Sequence, residues 1–97
     1  EREIAGKLTD LLGFPVVRRR NLGTHDDRGD LIVPGWTLQV KDYRDQQRAV
    51  SETLADLPGQ METNGTQLGA GLIRRPGGRW YAVIPLDVFA TVIRETL

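Results

Sequence analysis

Two short runs of alternating apolar residues on either side of a Pro-Gly pair constrain the fold of this chain most strongly. The runs DLIV and WTLQVK predict a β-hairpin over residues 30–41. Side chains alternate between the faces of a strand, so Gln39 and Lys41 share one face, about 7 Å apart along the strand. The turn brings Asp30, at the start of the first strand, toward both of them. This polar side of the hairpin is either a solvated face or a functional site.

The segments around the hairpin predict a mixed sheet flanked by helices in one domain spanning residues 1–97. Helical spacing favours helices over EREIAGKLTDLL, QQRAVSETLADLPGQMETNG and PLDVFATVIRETL, and Pro58 is expected to kink or split the second of them. FPVVRR predicts a strand before the hairpin, and TQLGAGLIRR and RWYAVIPL predict two strands around PGG. The predicted order is α-β-β-β-α-β-β-α, an α/β arrangement of layers.

Each predicted helix has an apolar stripe that is expected to face the sheet. At about 100° per residue, Glu1 lies close to the stripe of the first helix and is predicted to point toward the protein, whereas Glu3 is predicted to point to water. Both acidic residues also suit the positive end of a helix dipole. The stripes comprise Ile4, Leu8, Leu11 and Leu12 in the first helix, Val50, Leu54, Leu57 and Met61 in the second, and Leu86, Phe89, Val92 or Ile93, and Leu97 in the third.

Composition narrows the chemistry that is available to the chain. It has no cysteine and one histidine, which excludes disulfides, cysteine nucleophiles and multi-histidine metal sites. A metal site would therefore use oxygen ligands, which suit Mg²⁺, Mn²⁺ or Ca²⁺. The 13 basic and 13 acidic residues cancel, which argues against a simple basic nucleic-acid binder. The lack of cysteine fits a cytoplasmic protein. No apolar run approaches the about 20 residues of a membrane helix, so no membrane partner is expected.

Asp30, Gln39 and the backbone carbonyl of Val40 form a set of oxygen ligands that suits Mg²⁺. The neighbouring Lys41 can orient a water or stabilise a developing anion. Such a set is typical of metal-assisted phosphodiester hydrolysis, in which the metal acidifies a water and neutralises charge on the phosphate. Glu1, on the inward side of the first helix, adds a carboxylate through a water or a second metal.

In their order and spacing these segments resemble the PD-(D/E)XK nuclease superfamily, and within it the archaeal-type Holliday junction resolvases and related small phage endonucleases. The spacing Asp30-x8-Gln39-x-Lys41 is similar to the motif itself. EREI resembles the helix that opens the core of that family, and GFPVVR resembles its next strand. RGDLIV resembles the strand that begins with aspartate, QVK the EVK strand, and RWYAVIPL the last strand. The resemblance covers nearly the whole chain and implies a restriction-endonuclease-like core.

The resemblance assigns a role to each residue of the site. It implies that Asp30 binds Mg²⁺ or Mn²⁺ directly, that Lys41 orients the attacking water and stabilises the transition state, and that Glu1 completes the site. Gln39 departs from the pattern, because a metal-binding glutamate usually stands there. An amide oxygen can bind a metal without contributing charge. We therefore expect an active site that binds metal more weakly, and the alternative is an inactive one.

Basic and polar residues around the loop before the hairpin are candidate DNA contacts. Arginine suits bidentate recognition of phosphate, although Arg18, Arg19 and Arg20 equally fit the solvent-facing border of a strand. His25 fits a solvated loop position better than a general base. The predicted DNA-contacting residues are Arg18, Arg19, Arg20, Thr24, His25, Arg28 and Arg44.

The sequence thus predicts a metal-dependent endonuclease that cuts DNA, a Holliday junction resolvase-like enzyme in the cytoplasm of a bacterial or phage-infected cell. The resemblance implies a homodimer with two sites on one branched, four-way substrate. Trp80, Phe89 and Val92 are the predicted exposed apolar contact between subunits. Two alternatives stay open. One is a nuclease of the same fold that acts on flaps, ends or restriction targets. The other is a DNA-binding or assembly module that lost activity through Gln39.

Overall fold

The structure is a computed structural model that describes residues 2–19 and 30–97. The described elements are α1 (Arg2–Leu12), β1 (Val17–Arg18), β2 (Leu31–Val33), β3 (Trp36–Lys41), α2 (Gln46–Asn64), β4 (Leu68–Arg74), β5 (Trp80–Val83) and α3 (Leu86–Thr96). The predicted α/β class, with a mixed sheet flanked by helices, is confirmed. Within these described ranges, no helix has both the length and the apolar character needed to cross a membrane.

The five strands form one sheet in chain order, from β1 to β5. β1, β2 and β3 are antiparallel neighbours, and β5 pairs antiparallel with β4. β3 and β4 run parallel, so the chain must cross over between them, and α2 makes this crossover. The predicted hairpin is present. Val33 pairs with Trp36 across Pro34 and Gly35, and Gly35 adopts a positive φ of 80° that such a turn requires.

One face of the sheet packs against α1. Ile4 and Ala5 of α1 are buried in an apolar cluster with Leu31 of β2, Leu38 of β3 and Leu72 of β4. Trp36, Val40 and Trp80 are partly buried around the same cluster. The apolar alternation along the hairpin therefore faces α1, as strand geometry predicts.

On the opposite face, two glycines of β4 let α2 approach the sheet closely. A Cβ atom at Gly71 would stand 2.2 Å from Cγ2 of Thr53, and one at Gly69 would stand 2.7 Å from the sulfur of Met61. Thr53 is fully buried at this contact. Because glycine has no side chain, these two positions of β4 allow α2 to lie close to β3 and β4.

α2 is a single helix with a cap at each end. The Asp45 side chain accepts a hydrogen bond of 3.0 Å from the backbone N–H of Arg48, and Gly65 ends the helix at a φ of 69°. Pro58 lies inside the helix at an exposed position, so the prediction that it could split the helix is wrong. The hydrogen bond that proline removes is offset by the caps and by the burial of α2 against the sheet.

The predicted apolar stripe of α2 is only partly correct. α2 buries Thr53, Leu57 and Gln60, whereas Leu54 is half exposed. The physical reason is the space above Gly71, which accommodates a threonine and leaves no room for a leucine. Polar residues that the periodicity assigned to solvent therefore face the sheet.

The two terminal helices cover the sheet less completely than their stripes predicted. Leu11 of α1 is 82% exposed. In α3, Val88 is the buried residue, while Phe89 is 49% exposed and Leu86 is 81% exposed. Both terminal helices therefore carry apolar surface.

Candidate functional site

The polar side of the hairpin lies under α2 and is not a solvated face. Gln39 and Lys41 are only 4% and 9% exposed. They lie opposite Gly71 and Ile73 of β4, and both side chains reach Asp56 of α2. The prediction that Gln39 and Lys41 share a face is confirmed, and the helix that covers this face supplies their partners.

Lys41 lies in a cluster of two carboxylates and an aromatic ring. Its Nζ atom is 3.6 Å from a carboxylate oxygen of Asp56, 3.7 Å from one of Glu52 and 3.5 Å from the hydroxyl oxygen of Tyr43. These separations exceed the about 2.7–2.9 Å of short charge-assisted hydrogen bonds. The lysine is therefore held mainly by the attraction of opposite charges and forms no short hydrogen bond.

The same cluster keeps Lys41 charged. Burial disfavours the ammonium, but the hydrogen bond to Tyr43 and the charges of Asp56 and Glu52 outweigh it, so the pKa of Lys41 is raised above 10.5. A raised folded-state pKa stabilises the protein fully below the unfolded-state value of 10.5. This contribution is lost as the pH rises through the folded-state pKa. Lys41 is a cation throughout the neutral range.

Tyr43 links Lys41 to the surface of α2. Its hydroxyl donates a 2.7 Å hydrogen bond to Glu52, and Arg48 donates a 2.8 Å hydrogen bond to the other oxygen of the same carboxylate. The guanidinium of Arg48 also lies 5.2 Å from the centroid of the Tyr43 ring. The hydrogen bonds from Tyr43 and then Arg48 lower the pKa of Glu52 below its ordinary value of 4.5.

Replacing Tyr43 with phenylalanine is expected to raise the pKa of Glu52 toward 4.5, because the carboxylate loses its largest source of stabilisation. The stabilisation that Tyr43 provides is present above pH 4.5 and is lost as the pH falls through the folded-state pKa. Carboxyl chemical shifts in an NMR titration measure the change. Tyr81→Phe, at a half-exposed position on β5, is the control and is expected to leave the Glu52 titration unchanged. An unchanged titration in Tyr43→Phe would contradict the prediction.

Asp30 contacts the backbone of β3 between Gln39 and Lys41. Its carboxylate accepts a 2.7 Å hydrogen bond from the N–H of Val40, and its own N–H donates to the carbonyl of Leu38. The structure thus brings the aspartate to the strand that carries the glutamine and the lysine. The side chains of those two residues turn to Asp56, and within the described residues neither contacts the Asp30 carboxylate.

Two further oxygen atoms belong to Val40 and to its neighbour Gln39. The N–H and carbonyl of one strand residue point to the same side, so the Val40 carbonyl faces the edge where its N–H meets Asp30. Oε1 of Gln39 is buried and accepts no hydrogen bond from any described residue, because the amide nitrogen is the atom aimed at Asp56. Asp30, Gln39 and Val40 each therefore offer an oxygen atom.

Residues 2–19 and 30–97 contain no group of three or more histidine or acidic side chains that could hold a metal ion. The predicted ligand set has Asp30 as its one carboxylate in this part of the chain. Glu1, the second predicted carboxylate, lies outside the described residues.

The structure describes only some of the predicted DNA-contacting residues. Arg18 and Arg44 are exposed. Arg19 lies beside Asp30, because its N–H donates a 2.8 Å hydrogen bond to the Asp30 carbonyl, and its Nε atom is buried without a partner among the described residues. The remaining predicted contacts lie outside the described residues: Arg20, Thr24, His25 and Arg28.

Glu3 is exposed, as predicted, although residues of β4 and β5 also bind it. Its carboxylate accepts hydrogen bonds from the indole N–H of Trp80 and from Nε of Arg74, the latter at 3.2 Å. The bond from Trp80 is the main cause of a lowered pKa of Glu3, which is further supported by Arg74. The stripe of α1 could not reveal these partners, because they belong to the β4–β5 pair at the other end of the chain.

Three residues of the cluster were absent from the predicted site: Tyr43, Glu52 and Asp56. A signal for two of them was present, because Glu52 and Asp56 are four residues apart and lie on one side of the crossover helix. A right-handed crossover covers the two parallel strands that it joins, so acidic residues on α2 could be expected to face the polar side of β3.

Comparison of the chain with protein-family models, with curated proteins and with solved structures gives no significant match in any of the three. The geometry of the site is therefore the basis for assigning a function.

Proposed function

We propose that this chain is a metal-dependent endonuclease with a restriction-endonuclease-like core that hydrolyses DNA phosphodiester bonds. The observation that carries the proposal is the meeting of the Asp30 carboxylate with the Val40 backbone, between Gln39 and Lys41. An aspartate just before β2, beside a glutamine and a lysine on β3, follows the PD-(D/E)XK resemblance, with Gln39 in the place of the usual glutamate. A mixed sheet with a helical crossover between β3 and β4 is compatible with that core.

The donor set fits a hard divalent cation such as Mg²⁺ or Mn²⁺. Asp30 supplies a carboxylate, Val40 a carbonyl, and Gln39 a buried oxygen that has no partner among the described residues. A bound Mg²⁺ would acidify a water and neutralise charge on the phosphate. With a single carboxylate in the described part of this set, metal affinity is expected to be low, and Glu1 is proposed to add the second.

Lys41 is proposed to act on the phosphate and on the attacking water. Lys41 directly follows Val40 on β3. Its side chain is charged, and none of its contacts is a short hydrogen bond. Glu52 and Asp56 hold the ammonium in place electrostatically and leave its N–H groups able to donate to substrate oxygens.

Arg19 and the exposed Arg18 and Arg44 are proposed to bind the phosphate backbone of the DNA. The support is strongest for Arg19, whose backbone N–H donates to the Asp30 carbonyl and so holds this residue next to the proposed site. Such contacts position a strand and do not read its sequence. The proposed substrate is a branched, four-way DNA junction, and the proposed enzyme is a homodimer that uses apolar surface on α3, including the half-exposed Phe89.

A second candidate is a DNA-binding or assembly module without activity. The observation that favours it is the pairing of Lys41 with two carboxylates under α2, next to an amide where the nucleases that the chain resembles carry a glutamate. In that case the lysine is a structural cation that holds α2 on the sheet.

The two candidates are separated by incubating the protein with four-way junction, flap, blunt duplex and single-stranded DNA, each with Mg²⁺, Mn²⁺ or EDTA. The nuclease predicts metal-dependent cutting that prefers the junction. Asp30→Asn keeps an acceptor for the Val40 N–H but removes the charge, so cutting is expected to be at least about tenfold slower. Asp87→Asn, on the first turn of α3, is the matched control. Binding of DNA without cutting under every condition would support the inactive module.

A further inference from the structure

A groove of about 380 Å³ lies between α1 and the turn that joins β4 to β5. It is separate from the polar cluster that Lys41 forms with Tyr43, Glu52 and Asp56. α1 lines one wall of the groove, and α2 contributes no lining residue. Its lining combines two basic side chains with aromatic and aliphatic ones: Lys7, Arg79, Trp80, Tyr81, Ile4 and Leu11. Cationic and flat apolar surfaces thus meet in one open concavity.

The two cations of the groove come from different elements. Lys7 belongs to α1 and Arg79 directly precedes β5, and both are exposed. Neither side chain forms a hydrogen bond or a salt bridge with another residue in the part of the chain that the structure describes. The charge of Lys7 also helps to lower the pKa of the nearby Glu3. Two exposed cations on opposite sides of a groove favour a ligand that carries negative charge, and a phosphate diester is such a ligand.

The apolar part of the groove has a fixed aromatic side chain. The indole N–H of Trp80 donates to Glu3, and Arg74 binds the same carboxylate, which restrains the ring. Trp80 also packs against the main apolar cluster. Leu11, on the opposite wall, is 82% exposed, so apolar surface in the groove has no intramolecular cover. Restrained aromatic surface beside exposed cations is typical of sites that stack a nucleobase.

The groove opens at the same end of the sheet as Lys41. Trp80 pairs with Arg74, the next residue after Ile73, and Ile73 lies opposite Lys41. The two sites lie on opposite faces of this end, the groove on the α1 side and the lysine under α2. A DNA strand that passes over the end of the sheet can contact both.

From these observations we propose that the groove binds one unpaired nucleotide of a DNA strand, with the base against Trp80 and Leu11 and the flanking phosphates on Lys7 and Arg79. This inference rests on the proposed nuclease function and deepens it, because it requires the junction to present an unpaired nucleotide at its branch point. An acidic peptide would satisfy the two cations, but it would leave the aromatic and aliphatic lining without a flat apolar partner. A nucleotide supplies both a negative phosphate for the cations and a flat base for the apolar lining.

The test measures binding in EDTA, where no cutting occurs, by fluorescence anisotropy of a fluorescein-labelled oligothymidine and of a blunt duplex. Lys7→Ala combined with Arg79→Ala is expected to weaken oligothymidine binding about tenfold and duplex binding less than about twofold. The slope of log affinity against log salt for the oligothymidine should fall by roughly 1.4, for two lost phosphate contacts. Lys7→Arg with Arg79→Lys should retain most of the affinity. Arg94→Ala, which removes a cation from α3, is the control and should change neither affinity.

Three results would overturn the inference: an unchanged oligothymidine affinity in the double alanine variant, an equal loss for duplex and single strand, or displacement of the oligothymidine by polyglutamate at matched charge. The last result would assign the groove to an acidic protein partner. Failure of the groove is distinguishable from failure of the nuclease. Wild-type protein that cuts no DNA with metal, yet shows the expected binding losses, contradicts only the catalytic function. Metal-dependent cutting with unaltered binding in the variants contradicts only the groove.

Discussion

Replacing Lys41 with methionine is expected to slow metal-dependent DNA cleavage about 10²- to 10³-fold while the protein stays folded. Methionine fills a similar volume but offers no positive charge and no N–H donor to the phosphate or the water. Glu52 and Asp56 lose their cation, but their side chains are 33% and 47% exposed and remain solvated. The stability cost should therefore be below the roughly 3–5 kcal/mol of a fully buried broken pair.

The measurement is the single-turnover cleavage rate with saturating Mn²⁺, together with the thermal unfolding temperature. Arg48→Met is the matched control, because Arg48 contacts the same Glu52 and Tyr43 as Lys41 but lies on the exposed side of α2. It is expected to change the rate less than about threefold. Wild-type cleavage by Lys41→Met would remove Lys41 from the chemistry. A loss of equal size in Arg48→Met would show that the charge balance of the cluster matters and the lysine itself does not.

Replacing Gln39 with glutamate is expected to make the stability of the protein depend strongly on metal. The side chain is 4% exposed and its amide nitrogen lies 3.5 Å from an oxygen of Asp56. A glutamate there sets two carboxylates against each other, which should destabilise the metal-free protein by about 1–3 kcal/mol. A divalent cation at about 100 times its dissociation constant would return about 2.7 kcal/mol.

Thermal unfolding of wild type and Gln39→Glu in EDTA, Mg²⁺ and Mn²⁺ measures this effect. Gln47→Glu adds the same charge at an exposed position of α2 and should show no metal-dependent gain beyond that of wild type. If Mg²⁺ shifts the unfolding temperature of wild type and Gln39→Glu equally, Gln39 is not at a metal site. The proposed donor set would then be wrong.

The hairpin and the α/β class could be predicted from the sequence because both depend on local signals. Alternation over a few residues fixes which strand side chains share a face, and Pro34-Gly35 fixes the turn between Val33 and Trp36. These signals are sufficient to place Gln39 and Lys41 on one side of β3. The approach of Asp30 to the same strand follows from the hairpin register alone.

The partners of that polar side could not be predicted from local signals. The rotation of α2, which buries Thr53 and exposes Leu54, depends on glycines in β4 that follow α2 in the chain. The periodicity of α2 alone favoured the opposite orientation. Glu52 and Asp56 can be related to Lys41 only once the crossover helix is placed over β3 and β4. The bond between Glu3 and Trp80 likewise joins residues 77 positions apart, which no stripe on α1 can indicate.

α2 packs closely over Gly71. The distance between Gly71 and α2 therefore determines both the packing of the core and the distance of the α2 carboxylates from Lys41. Thr53, which lies against Gly71, is next to Glu52 and three residues before Asp56 on the same rigid helix. Any side chain at position 71 would push this helix outward and carry both carboxylates away from the ammonium. A change of shape at an uncharged position would thereby alter the electrostatics of the cluster without touching a charged residue. Residue 71 and the polar cluster are therefore expected to restrict each other's substitutions during evolution.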